Sequence, residues 1–211
     1  MASPGLRDRK KARTRRLIAD VAARLFAERG YEQVAVSDVA HEAEVSEQTV
    51  YNYFRTKEQL VIDRDQQIQD RLGDLIRTRP PGVSAAAAIR GFVLASVDGI
   101  PSIAPERWRG ELGYLAFISP TVHRLSLEMT NRQADAIAAA ISDTTPVRTE
   151  VAKLQGIAVA SVFQIIISHA GRRTHEGGSQ AEIADELHPI VGTVLDELDR
   201  WLSLSEPPAE P

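Results

Sequence analysis

Apolar residues recur along this chain at helical spacing, and nowhere do they alternate over the length of a strand. Ile18, Val21, Ala22, Leu25 and Phe26 form one stripe of a helix predicted over 14–29, with Gly30 where a C-terminal cap belongs. A second short helix is expected from Ser37 to Ala43, burying Val36, Val39 and Ala40. Glu44 and Val45 follow, and Ser46 is placed to cap a third helix running to about Phe54. Thr56, with Gln59 three residues later, reads as a capping box for a fourth helix from Lys57 to about Thr78. Three short helices with a tight break between the second and third are the arrangement of a helix-turn-helix. The longer, more charged fourth helix reads as a connector, and Pro80-Pro81-Gly82 ends it.

The helical pattern continues to the C-terminus, with helices predicted over 83–97, 105–117, 120–141, 147–170 and 180–204. Breaks are expected at Asp98-Gly99-Ile100-Pro101, at 142–146 and in a polar loop from Gly171 to Ser179, and the Pro/Glu-rich end reads as an unstructured tail. The fold class is therefore all-α. The division expected is a DNA-binding domain over 1–60 (basic arm 1–13, first helix 14–29, helix-turn-helix about 36–54) and a larger helical domain over 61–211.

Composition agrees with a globular helical protein, at 43% hydrophobic and 26% charged residues with 5% aromatic. The absence of cysteine excludes disulfides and thiolate metal sites. The polar N-terminus has no signal-peptide pattern, and no run reaches the ~18 apolar residues of a membrane span, so a cytoplasmic protein without membrane contact is expected. The net charge of −4 argues against nucleic acid until its distribution is considered. Residues 1–16 carry seven basic side chains, Arg13 among them, against one acidic. Residues 61–211 carry 14 basic and 20 acidic groups. A basic arm on an acidic body grips anions locally, and its plain alternative is a solubilising tail.

The third helix carries the chemistry. On a helical wheel Val50 and Phe54 share the face that must pack inward, while Gln48 and Asn52 point outward. Thr49 and Tyr53 flank that outer surface on one side and Tyr51 on the other. Amides at the centre suit base edges in a major groove, and hydroxyls at the sides suit phosphates, with Lys57 beside them. The plain alternative is an ordinary polar helix face. Glu47 has two readings: it complements the helix dipole, or it accepts from a cytosine amino group.

These residues resemble the TetR/AcrR family of bacterial regulators. The resemblance lies in Leu25-Phe26-Ala27-Glu28-Arg29-Gly30-Tyr31, in Val36-Ser37-Asp38-Val39-Ala40, and in the run from Val45 to Leu60, and covers roughly residues 12–62. It implies DNA contacts from Thr49, Tyr51, Tyr53 and Lys57, with Glu47, Gln48 and Asn52 near the bases. Two departures stand out. Glu44 occupies a turn position where the family usually has Gly, which predicts a left-handed residue. Ala35 replaces the usual Ser or Thr cap of the second helix, a loss of about 1 kcal/mol. The resemblance further implies a homodimer joined by the last two helices, a pseudo-palindromic operator in double-stranded DNA, and a small-molecule effector held between the middle helices.

Candidates for the effector site are Phe92, Trp108, Arg109, Tyr114, Phe117, His123, Met129, Phe163 and Gln164, with His169 as a further polar anchor. Each is also readable as core or as a solvated turn. Trp108 between Arg107 and Arg109 suits an anionic or aromatic effector. For the dimer interface the candidates are Ile157, Ser161, Val162, Ile165, Val191, Val194, Leu195 and Leu198, whose alternative is packing inside one chain. The five histidines lack metal-ligand spacing, and no phosphate-binding or nucleophile motif occurs, so no enzyme, cofactor or metal is expected. A non-specific architectural DNA binder would need a basic body. Effector binding is expected to act by tilting the connector helix and changing the spacing of two reading heads.

Overall fold

The structure is a computed structural model that describes residues 5–63 and 65–205. Its helices are α1 (Leu6–Arg29), α2 (Val36–Glu42), α3 (Glu47–Tyr53), α4 (Asp65–Arg77), α5 (Ala85–Asp98), α6 (Pro105–Trp108), α7 (Leu112–Ile118), α8 (Pro120–Thr144), α9 (Thr149–His175) and α10 (Gln180–Ser205). Short 3₁₀ turns cover Glu58–Leu60 and Ile100–Ser102. Among the described residues there is no strand, as the periodicity predicts.

Serines start several helices. Ser46, Ser84 and Ser119 each accept a hydrogen bond at 3.1 Å from the backbone N–H three residues on, at the heads of α3, α5 and α8. Pro120 occupies the first position of α8, where its missing N–H costs nothing. Ala35 offers no side-chain cap, but Asp38 Oδ2 accepts from its N–H at 2.7 Å, preserving half of a capping box. Glu44 adopts φ 53°, the left-handed conformation expected at that turn.

Four expected boundaries move. The first helix begins at Leu6 rather than Thr14: residues 6–13 contain strong helix formers, and the Thr14 hydroxyl donates back to the Lys10 carbonyl. The basic arm is therefore mostly helix, and its residues 1–4 lie outside the described residues. The connector does not run unbroken from Lys57, because Gln59 accepts from the Arg55 N–H at 2.7 Å, holding a 3₁₀ turn ahead of α4. The helix predicted over 105–117 divides at Gly110, and α9 continues straight through Gly171 to His175.

Both glycines serve close backbone approach. A Cβ on Gly110 would stand 1.7 Å from the Ala23 carbonyl oxygen, and one on Gly171 would stand 2.3 Å from the Gly113 carbonyl oxygen. Gly171 is thus the point where α7 and α9 cross, and not a helix terminator.

Two hydrophobic clusters organise the chain. One, the head, gathers Ile18, Leu25, Phe26, Tyr31, Val39, Val50, Phe54 and Leu60. It is completed by Leu115, Ala116 and Val122, which come from α7 and α8. The other, the body, joins α4, α5, α8, α9 and α10 around Leu72, Ile89, Val93, Ile137, Val159, Leu187 and Leu195. Among the described residues one helix, α9, is long and apolar enough by length and composition to cross a membrane, with a mean hydropathy of 1.6 over its best window, although polar residues interrupt its apolar run. Here it packs against α7, α8 and α10.

Candidate nucleic-acid interface and a groove in the helical body

In α3 the inward face is fixed by Val50 and, one residue past the helix, Phe54, each 1% exposed. This places Glu47, Gln48, Tyr51 and Asn52 on the surface, with Tyr51 43% exposed. Gln48 Nε2 donates to Asn52 Oδ1 at 3.2 Å, one turn on. The pair leaves the Gln48 carbonyl as an acceptor and the Asn52 amino group as a donor, the two kinds of group that read adenine. Thr49 shares a 2.8 Å hydrogen bond with the Ser46 hydroxyl, and Glu47 lies in the first turn of the helix, where its charge complements the dipole.

Tyr53 and Lys57 are less available than the sequence suggests. Tyr53 is half-buried against the head cluster. Lys57 is turned inward: its ammonium donates to the Tyr31 carbonyl at 2.5 Å and sits 4.1 Å from the Tyr31 ring centroid. Burial lowers the Lys57 pKa from its ordinary value and raises that of the Tyr31 phenol. Arg13 is exposed on α1.

Arg15, which sequence reasoning missed, locks α1 to α3. Its guanidinium lies 4.5 Å from the Phe54 ring centroid, donates to the Tyr53 carbonyl at 2.8 Å and pairs with Asp63. The head is joined to the body at several points. Arg107 of α6 donates to Asp20 of α1 at 2.6 Å, and the Ser119 hydroxyl donates to the Glu32 carboxylate. Within the body, Asp65 at the N-terminus of α4 is almost fully buried and receives Arg132 of α8 at 3.0 Å. Exposure and spacing alone give no sign of these long-range pairs.

The nine effector candidates do not converge. Phe92, Trp108 and Phe163 pack against the body core, and Met129 is buried. The three-residue run at Trp108 splays apart: Arg107 is spent on Asp20 and Glu111, while Arg109 lies 5.6 Å from the Tyr114 ring centroid. The indole N–H of Trp108 is buried without a partner among the described residues. Gln164 ties α9 to α8 by donating to the Ser126 carbonyl at 2.9 Å and the Thr130 hydroxyl at 2.6 Å. Of the nine, Phe117 and His123 border the cavity described next.

That cavity is a groove of about 730 Å³ between the α7–α8 corner and the C-terminal half of α9. Its walls include Phe117, Ile118, Pro120, Ile165 and Ile167, with His123, Ser168, His169 and Arg172 supplying polar groups. Helical glycines at 113 and 171 were the available signal for this crossing, since glycine inside a helix marks close approach.

The interface candidates also separate. Ile157 is 59% exposed, Ser161 is exposed, and Ile165, Val194 and Leu198 are half-exposed. Val162, Val191 and Leu195 are buried inside the chain, so they have no surface to offer a partner. Ile190, on the apolar stripe expected of the last helix, and Leu154 and Trp201, not anticipated, add to the exposed apolar surface of α9 and α10.

Residues 18–63 match the family described as bacterial regulatory proteins, tetR family. The transcriptional regulator TcmR of Streptomyces glaucescens, with a helix-turn-helix designation, is 33% identical over 88 residues. That match covers 42% of this chain and 39% of the relative, so the chain aligns with well under half of that protein. In overall fold the chain is similar to the fatty acid degradation regulator FadR from Bacillus halodurans (TM-score 0.54, 18% identity, 92% of this chain and 97% of that one). It is likewise similar to the transcriptional regulator FadR from Bacillus subtilis in complex with stearoyl-CoA (TM-score 0.54, 16% identity, 87% and 97%). Residues 18–63 are thus similar to the tetR family of bacterial regulatory proteins over the helix-turn-helix, and the chain shares the all-helical fold of the two FadR regulators.

Proposed function

We propose that the chain is a sequence-specific transcriptional regulator, a repressor whose α3 reads operator DNA and whose helical body binds a small-molecule effector. The observation that carries this reading is the outward Gln48–Asn52 pair flanked by exposed Tyr51, on a helix held from behind by Val50 and Phe54. Glu47, Gln48, Thr49, Tyr51 and Asn52 meet the bases and adjacent phosphates; Tyr53, Lys57 and Arg13 support the backbone contacts. The head corresponds to residues 1–60 and the body to 61–211.

The chain acts as a homodimer through the exposed faces of α9 and α10, centred on Ile157, Ser161 and Ile165 with Val194 and Leu198. A twofold pair of α3 helices about 34 Å apart, or a near multiple, reads a pseudo-palindrome. The regulatory step changes the position of the head relative to the body, and an effector drives it only by its differential affinity for the two positions.

Selection of duplexes from a random library at fixed salt, with wild type and Tyr51→Ala in parallel, tests the reading. A pseudo-palindrome enriched by wild type and weakened in the variant is the expected result. No enriched sequence, or equal enrichment by both proteins, overturns it.

A further inference from the structure

The groove beside α9 has walls of one electrostatic kind. Its lining contains Arg172, His123 and His169 and no carboxylate. The opposite wall is apolar, and one of its residues, Phe117, is 47% exposed with its ring 5.0 Å from that of His175. An exposed aromatic in a concave slot beside a cation whose one carboxylate partner, Glu176, lies outside the lining is complementary to an anion on a ring-containing apolar body.

The polar side is built rather than incidental. His169 has one ring nitrogen, Nε2, 2.8 Å from the Glu186 carboxylate, and Glu186 is itself clamped by Arg173. With Nε2–H donating to Glu186, Nδ1 is left as an acceptor, and Arg172 approaches it at 3.4 Å. His169 thus steers the Arg172 guanidinium along the groove. The competing partner of Arg172 is Glu176, an exposed i, i+4 pair at 3.2 Å that contributes little and is readily exchanged for a ligand.

We infer that this groove is the effector site and that it takes an organic carboxylate with an apolar, ring-containing body, the carboxylate on Arg172 and the ring against Phe117. The inference rests on the effector-responsive reading above and names its ligand class and place. It also supplies a route to the head. Ala116 and Ser119 line the groove, while Ala116 belongs to the head cluster and Ser119 donates to Glu32 of the head. A ligand that shifts the α7–α8 corner therefore shifts the head's own packing.

The probe is 2-naphthoate, titrated calorimetrically into the full-length protein, with 2-naphthamide and 2-(aminomethyl)naphthalene as neutral and cationic counterparts. The expected result is saturable binding of one naphthoate per chain, at least tenfold tighter than either counterpart. Arg172→Ala should weaken naphthoate at least tenfold, and Ser168→Trp, at an exposed position, should abolish binding while leaving the melting temperature unchanged. Arg148→Ala, an exposed arginine away from the groove, should leave binding unchanged. No saturable binding, equal binding of the cation, or unaltered binding by both Arg172→Ala and Ser168→Trp overturns the proposal. Operator selection is read without any ligand, so failure here leaves the DNA-reading result standing.

Discussion

Gly110, between α6 and α7, lies in direct backbone contact with Ala23 of α1: any Cβ there would be 1.7 Å from the Ala23 carbonyl oxygen. Backbone cannot rotate aside as a side-chain tip can, so Gly110→Ala must separate head from body or distort α1. A loss of about 1–3 kcal/mol or more is expected from such overpacking, a fall of several degrees in melting temperature. Gly91 provides the control, because it lies on the exposed face of α5 with nothing within 4 Å of an added Cβ. Gly91→Ala should stabilise by about 0.5–1 kcal/mol through helix propensity alone. Differential scanning calorimetry of the two variants checks both signs; equal effects would mean that the α1–α6 contact is not tight.

Glu44 holds φ 53° in the turn between α2 and α3 with its side chain exposed. A left-handed non-glycine residue costs about 1–2 kcal/mol, and removing the side chain sacrifices no buried surface. The greater chain entropy of glycine offsets part of the gain. Glu44→Gly should therefore stabilise by up to about 1 kcal/mol, measured as a higher urea midpoint at unchanged slope.

The outward face of α3 was legible from sequence because it depends on periodicity alone: Val50 and Phe54 inward force Gln48 and Asn52 outward. The capping role of Ser46 and the strain at Glu44 were equally local. What escaped was long-range. Lys57 looked like a surface cation, yet its ammonium is drawn inward by the Tyr31 carbonyl and ring, which lie 26 residues earlier. Val162, Val191 and Leu195 shared apolar stripes with Ile157 and Val194, and a wheel cannot decide which edge of a wide stripe meets its own chain. The effector candidates spread over core and groove for the same reason, since aromatic residues at helical spacing fill cores and linings alike.

Acid should loosen the turn between α9 and α10 first. The Arg173 guanidinium, followed by His169, holds the Glu186 carboxyl down from 4.5 to about 2. A carboxyl whose folded pKa is depressed stabilises the fold above its unfolded value, and that stability is lost as pH falls from about 4.5 toward about 2. Glu176 and Glu182 are lowered in the same direction, by Arg173 and by the Ser179 backbone respectively. Arg173→Ala should raise the Glu186 pKa toward the ordinary carboxylate range. Its melting temperature should then depend less steeply on pH over this interval than that of wild type. Parallel slopes in a melting-temperature series across pH 2–5 would show that the Arg173–Glu186 pair is not coupled to folding.

Ile157 and Val162 sit five residues apart on α9, one exposed and the other fully buried, and the proposed dimer assigns them opposite failures. Ile157→Glu puts a charge on the face that two copies would share, at a residue that belongs to neither hydrophobic cluster. It should dissociate the assembly in sedimentation velocity with the melting temperature of the chain at low concentration unchanged. Val162→Ala opens a cavity among residues that never reach the surface. It should cost roughly 1–2 kcal/mol of stability and leave the sedimentation coefficient as it was. If Ile157→Glu remains associated, the shared face lies elsewhere on the chain, and the exposed stripe of α9 must be explained by another partner. If Val162→Ala dissociates while Ile157→Glu does not, the chain repacks on association, and the buried edge of the stripe is the contact after all.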